Sequence, residues 1–184
     1  EPTAIEAASR TDFASLQSDW QSELTSLLGH WSGIQSQQIE ALATQVEAAV
    51  TAGSPTQLAD IAAPVLGSDL VSQHMLSLAK KAMNDALSEA SEQGVTLNAA
   101  TDEALTKVLK PSADAIASLL ARSISGTAAR QGLLRYGVDT LSAKDVANGV
   151  RDQLNSLSDS YLNDQLGGAL TQAQNTARRY VMQQ

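Results

Sequence analysis

The chain has 184 residues, no cysteine and a formal net charge of −8. Disulfides, thiol catalysis and thiolate metal sites are therefore excluded, and the acidic balance argues against a nucleic-acid surface, because phosphate contacts need Lys and Arg. Hydrophobic residues make up 43% of the chain and aromatics only 3%, which suits a packed core of Ala-, Leu- and Val-rich helices rather than an aromatic β-sandwich.

The charge is unevenly placed. Up to Ala79 the only basic residue is Arg10, against nine acids; from Lys80 onward acids and bases balance at eleven each. The amino-terminal half thus reads as a solubilising surface or as an acidic arm facing a basic partner. No run of eighteen apolar residues occurs, so no membrane span is expected. The start, Glu1-Pro2-Thr3-Ala4, lacks the pattern of a signal peptide and an initiator Met, as expected of a processed product or a fragment.

The first predicted element runs from about Asp12 to Thr51. Phe13, Leu16, Trp20, Leu24, Leu27, Trp31 and Ile34 are three and four apart, and Leu42, Val46 and Ala49 continue the stripe after a phase change at Ile39. Unbroken, this is a rod of roughly 60 Å. Gly29 and Gly33 are candidate kinks, and Gly53 is placed to end it. Ser54-Pro55-Thr56-Gln57 has the order of a capped helix start, and Pro64 and Gly67 close that short helix. A third helix is expected from Ser68 or Asp69 to about Gln93, stopped by Gly94, with Val95 to Ala100 as a connection.

Thr101 to Leu109 reads as a short helix, and Pro111 is expected to open another, lined by Ile116, Leu119, Leu120 and Ile124, with Gly126 as a possible interruption. Gly137 to Leu141 is a turn. Ser142-Ala143-Lys144-Asp145 resembles a capping start, followed by Val146, Val150, Leu154 and Leu157. Ser158-Asp159 caps the last helix, which carries Leu162, Leu166, Ala169, Leu170, Ala173, Ala177 and Val181. The expected fold is all-α: a bundle of about six helices with a long N-terminal amphipathic helix. Its division is a helical arm, 1–53, and a bundle, 54–184, or one continuous domain joining the two.

No motif spacing along the chain points to chemistry, although a triad assembles in space and is not read from spacing alone. His30 and His74 have no second histidine or carboxylate at ligand spacing, and no Gly-x-Ser-x-Gly elbow or phosphate loop is present. We expect no catalytic residue, cofactor or metal. Gly167-Gly168 lies inside a helical pattern, where each glycine costs about 1 kcal/mol relative to Ala. The pair marks either a weak helix or a place where another helix or a partner comes close. Gln172, Gln174 and Asn175 nearby would have to hydrogen-bond across a helix packed on two sides. Arg178-Arg179-Tyr180 suits a helix C-terminus through its dipole.

From Ser142 onward a family becomes visible. Leu157-Ser158-Asp159, Tyr161-Leu162, Asp164-Gln165-Leu166-Gly167-Gly168-Ala169, Ala173-Gln174-Asn175 and Arg178 resemble the helical region of minor head proteins of actinobacterial tailed phages, related to the F protein of phage Mu. The run Asp12-Phe13-Ala14-Ser15-Leu16-Gln17-Ser18-Asp19-Trp20 is similar to the same proteins. The resemblance implies a structural protein of the virion, at the capsid interior or portal vertex, made in the host cytoplasm and binding portal or capsid subunits. In many such phages a capsid maturation protease domain precedes this region in the same gene, and a small domain with a Cys-x-x-Cys-type motif usually follows it. The chain is expected to be the helical portion alone, without enzymatic activity. The candidate protein interface is Trp20, Trp31, Gly167, Gly168, Gln174, Asn175 and Arg178, with self-association a further option. A second resemblance is narrower: Trp31-Ser32-Gly33 matches the Trp-x-Gly of small secreted helical-hairpin proteins, which implies a secreted effector or antigen.

Overall fold

The capping residues and apolar stripes resolve into six helices in a computed structural model, which describes residues 13–184. The expectations placed on Glu1 to Asp12 lie outside the described residues. The helices are α1 (Phe13–Thr51), α2 (Pro55–Ala59), α3 (Ser68–Glu92), α4 (Asp102–Arg135), α5 (Ala143–Asn155) and α6 (Ser160–Met182). The described residues are 81% helical and contain no strand, so the all-α expectation holds.

The helix ends follow their local chemistry. At the end of α1 the Ser54 N–H reaches Ala49 O and the Gly53 N–H reaches Val50 O, each at 3.0 Å, with Gly53 at φ 65°. This is a Schellman cap, which satisfies two orphan carbonyls and needs a left-handed residue. The same bond pair closes α3, from Val95 to Ala90 and from Gly94 to Ser91. Ser54 Oγ accepts from the Gln57 N–H at 3.2 Å to start α2. Ser142 and Asp145 form both arms of a capping box on α5, each at 3.1 Å.

Three expectations about helix continuity need correction. Gly29 and Gly33 do not break α1, because its apolar stripe stays buried on both sides of them. Gly126 does not interrupt α4. Pro111 does not open a helix but lies inside one. A mid-helix proline costs about 3 kcal/mol through its missing N–H and its ring. Leu105, Leu109, Ala113 and Ala117 hold one buried stripe across it, while Pro111 itself is exposed. The carbonyl it frees therefore lies on the solvent side.

The described residues form two compact units, each discontinuous in sequence: residues 13–29, 68–116 and 162–184, and residues 30–67 and 117–161. The expected arm 1–53 and bundle 54–184 correspond to neither. In the first unit Leu16, Leu27, Val71, Met75, Leu78, Leu105, Leu109, Leu166, Leu170 and Val181 are buried with many alanines. Gln184 exchanges hydrogen bonds with the backbone of Asn98, pinning the end of α6 to the connection before α4.

In the second unit Ile39, Leu42, Val46, Leu58, Ile124, Val146, Val150 and Leu154 form the core. The stretch from Asp60 to Gly67 is not helical, so its backbone polar groups need other partners. Side chains supply them. Gln45 accepts from the Ala62 N–H at 3.0 Å and donates to Ala62 O at 2.8 Å. Ser125 Oγ accepts from the Ala63 N–H at 2.7 Å, and Gln38, 2% exposed, donates to Pro64 O at 3.0 Å. Gly67 ends the stretch at φ 87°; a Cβ there would lie 2.7 Å from Ile34 Cδ1 and closer still to the Trp31 ring.

Two outcomes are expected for this unit. Gly67→Ala should destabilise it by at least about 1–3 kcal/mol through overpacking, with backbone strain added, read as a lower denaturation midpoint. The second concerns Arg151, whose Nε and Nη2 donate to the two oxygens of Glu40 at 2.8 and 3.1 Å. This fork holds the Glu40 carboxyl below its ordinary value of 4.5. A lowered carboxyl contributes stability above its unfolded value and loses it as the pH falls through the folded one. Arg151→Gln should therefore raise the Glu40 titration seen by NMR. The stability gap between parent and variant should be steady at neutral pH and close in acid below 4.5.

Candidate functional site

The first unit has a groove between α1 and α6, and Trp20 sits in the middle of it. Leu16, Trp20, Leu24 and Leu28 are four residues apart and form one row along α1, Leu16 buried and the others half-buried. The indole N–H of Trp20 donates to Gly167 O on α6 at 2.9 Å, and Thr171 Oγ1 donates to the same carbonyl at 3.1 Å. One turn further along α6, Gln174 Nε2 donates to Leu16 O at 2.9 Å. Gln174 is 9% exposed, so its amide is satisfied where an unpaired one would be costly.

Gly167 is fitted to the indole. A Cβ at that position would lie 2.9 Å from Trp20 Cζ2, so any larger residue would push the ring away. Gly168 is the opposite case: it is exposed, and a Cβ there would meet nothing within 4 Å. The pair does not break α6. The first glycine receives a neighbouring side chain, and the second leaves the helix surface flat.

Trp20 divides the groove into two clefts. One, about 250 Å³, reaches Gln17, Gln174, Asn175 and Arg178. The other, about 430 Å³, reaches Leu24, Leu28, Asp164 and Gly168. Six of the seven sequence candidates, Trp20, Gly167, Gly168, Gln174, Asn175 and Arg178, thus lie on one surface. Trp31 does not join them. It belongs to the second unit, is 2% exposed, and packs over Gly67. The expectation of Trp31 at a protein surface is corrected: it is a core residue.

One cluster was not foreseen. His74 Nδ1 lies 2.7 Å from Glu23 Oε1, both side chains being 11% exposed. Lys81 Nζ lies 3.7 Å from Glu23 Oε2, and Ser77 Oγ reaches the same oxygen at 3.5 Å. An ionised carboxylate only accepts, so it selects the tautomer with the proton on Nδ1. His74, Ser77 and Lys81 share one face of α3, and Glu23 comes from α1. A search for ligand spacing along the chain misses a carboxylate 51 residues away. The available sign was Glu23 itself, a charge three residues after Trp20 and four before Leu27, inside the apolar stripe. Among the described residues no group of three or more His, Cys, Asp or Glu is placed to hold a metal ion, and no helix is long and apolar enough to cross a membrane.

No protein-family model, curated protein or solved structure matches the chain.

The Trp20–Gly167 contact is testable by a double-mutant cycle. Gly167→Ala alone should cost about 1–3 kcal/mol, because the indole must move. With Trp20→Ala present, the same change should become neutral or stabilising by up to about 1 kcal/mol, the helix-propensity gain. Chemical denaturation of the four proteins gives the coupling.

Proposed function

We propose that this chain is the helical segment of a structural minor head protein of a tailed phage, acting by packing against portal or capsid subunits. The observation that carries the reading is where the two resembling stretches lie. The run ending at Trp20 and the kernel around Gly167 are far apart in sequence, yet Trp20 Nε1 bonds Gly167 O. The two stretches that carry the resemblance thus meet at one contact. A helical body with its chemistry spent on packing suits a connector between subunits.

The second unit offers a surface for such a partner. Leu133, Leu134, Val138 and Leu141, at the end of α4 and in the turn after it, are 41%, 72%, 45% and 37% exposed. Four exposed large apolar side chains within nine residues of chain are a candidate contact with another macromolecule. The secreted-effector reading gains nothing comparable, since Trp31-Ser32-Gly33 lies inside unbroken α1 and not at a hairpin turn.

The test is gene neighbourhood and co-assembly: portal and major capsid genes are expected beside this one, and the chain is mixed with their products. The chain should co-purify with one of them, and Leu133→Glu with Leu134→Glu should abolish this while leaving the melting temperature unchanged. Absence of binding to either, together with neighbouring secretion-system genes, would overturn the reading.

A further inference from the structure

The second half of α4 and the turn after it differ in charge from the rest of the chain. Between Asp114 and Asp139 there is no acid, whereas Arg122, Arg130 and Arg135 fall in that interval and Lys144 follows it. On a chain at −8 this is a local excess of cations. Among the described residues no carboxylate lies within ion-pair distance of any of the four. Arg130 Nη2 donates to Thr127 Oγ1 at 3.2 Å, and Arg135 Nη1 donates to Gln131 O and Oε1 at 3.0 and 2.7 Å. These acceptors are neutral and one turn away on α4, so they position the guanidinium groups without neutralising them. Gly149 on α5 gives Arg135 its seat, since a Cβ there would lie 2.9 Å from Arg135 Cδ.

Arg122, Gly126, Arg130 and Leu134 are four residues apart, which places them on one side of α4. Arg122 and Arg130 are exposed, as are Leu133 and Leu134. That side is cationic first and apolar at its end, where the exposed Val138 and Leu141 follow in the turn. A second copy of the same surface would bring the same excess of positive charge, with Asp139 as the one acid between Ala115 and Lys144. An anionic bilayer would attract this strip and repel the acidic remainder of the chain within a Debye length of about 8 Å. An acidic helix covers the strip alone.

We propose that this side of α4 binds an acidic amphipathic helix of a partner protein, with carboxylates over Arg122 and Arg130 and apolar side chains over Leu133 and Leu134. Carboxylates accept from guanidinium groups in short, charge-assisted bonds, and apolar anchors at helical spacing cover the leucines. Arg135 and Lys144 add to the field that steers such a segment in. The strip from Arg122 to Leu134 is roughly 18 Å long, about three to four turns of the bound helix. The inference rests on the reading of the exposed leucines as a partner surface, and not on that partner being a phage protein.

The probe is a labelled synthetic helix of about sixteen residues, with glutamates along one side of its first half and leucines along the same side of its second. Fluorescence anisotropy should give a Kd below about 100 μM, weakened at least about tenfold when salt is raised from about 0.05 to 0.5 M. The same helix with lysines in place of the glutamates should not bind. Arg122→Glu with Arg130→Glu should abolish binding at an unchanged melting temperature, both side chains being exposed. Lys107→Glu with Lys110→Glu, which changes the net charge equally at exposed positions elsewhere on α4, should leave binding intact. No binding at about 1 mM peptide, or equal binding by the two charge variants, would overturn the proposal. Tighter binding to phosphatidylserine–phosphatidylcholine vesicles than to the peptide would overturn it in favour of a membrane contact. Peptide binding without co-assembly with portal or capsid proteins would support the proposal and count against the phage reading alone.

Discussion

Helices approach one another only as far as their contact side chains permit, and in this protein those side chains are mostly small. Alanine is the most frequent residue among the buried apolar positions described. It contributes little apolar area per residue, so stability has to come from close, extended contact along long helices. That requirement explains why α1 and α4 run on through glycine and proline. Breaking either helix would interrupt a buried stripe that runs across the glycine or proline position. It also explains the use of large residues as single fitted pieces, with Trp20 seated on Gly167 and Trp31 seated on Gly67.

Close backbones bring polar groups together, and the amide side chains answer to this. Gln38, Gln45, Gln174 and Gln184 each bond to backbone atoms of another segment. They act where the helical ladder stops or where a neighbouring helix leaves a carbonyl to be shared. A glutamine amide can donate and accept at once, which is how Gln45 holds both polar groups of Ala62. These amides therefore add to the specificity that the fitted tryptophans give, because their bonds form in one register of the packed segments.

Much of the fold was legible in the sequence. Gly53, Gly94 and the Ser142–Asp145 pair fixed helix ends through local geometry that any context would honour. Pro111 misled because a local rule met a tertiary stripe that continued across it. The two tryptophans of α1 show the limit more sharply. They occupy equivalent places in one apolar row, but Trp20 lines a groove and Trp31 is core, and only the segments packed against them decide which. Gly167-Gly168 was readable as a place of close approach, though not that the two glycines would act differently. The division into two units was illegible, since each is assembled from separate stretches of chain. Glu23 with His74 was visible only as a charge out of place.

The side-chain bonds to the Asp60–Gly67 stretch have a dynamic consequence. An amide proton in the middle of a helix exchanges with solvent when several consecutive bonds open together. The amide protons of Ala62 and Ala63 are instead bonded to Gln45 and Ser125. A rotamer change in one side chain releases each of them, with no helix unfolding. Their hydrogen-exchange rates therefore report sub-global openings of this segment alone, on a free-energy scale separate from that of the helices flanking it.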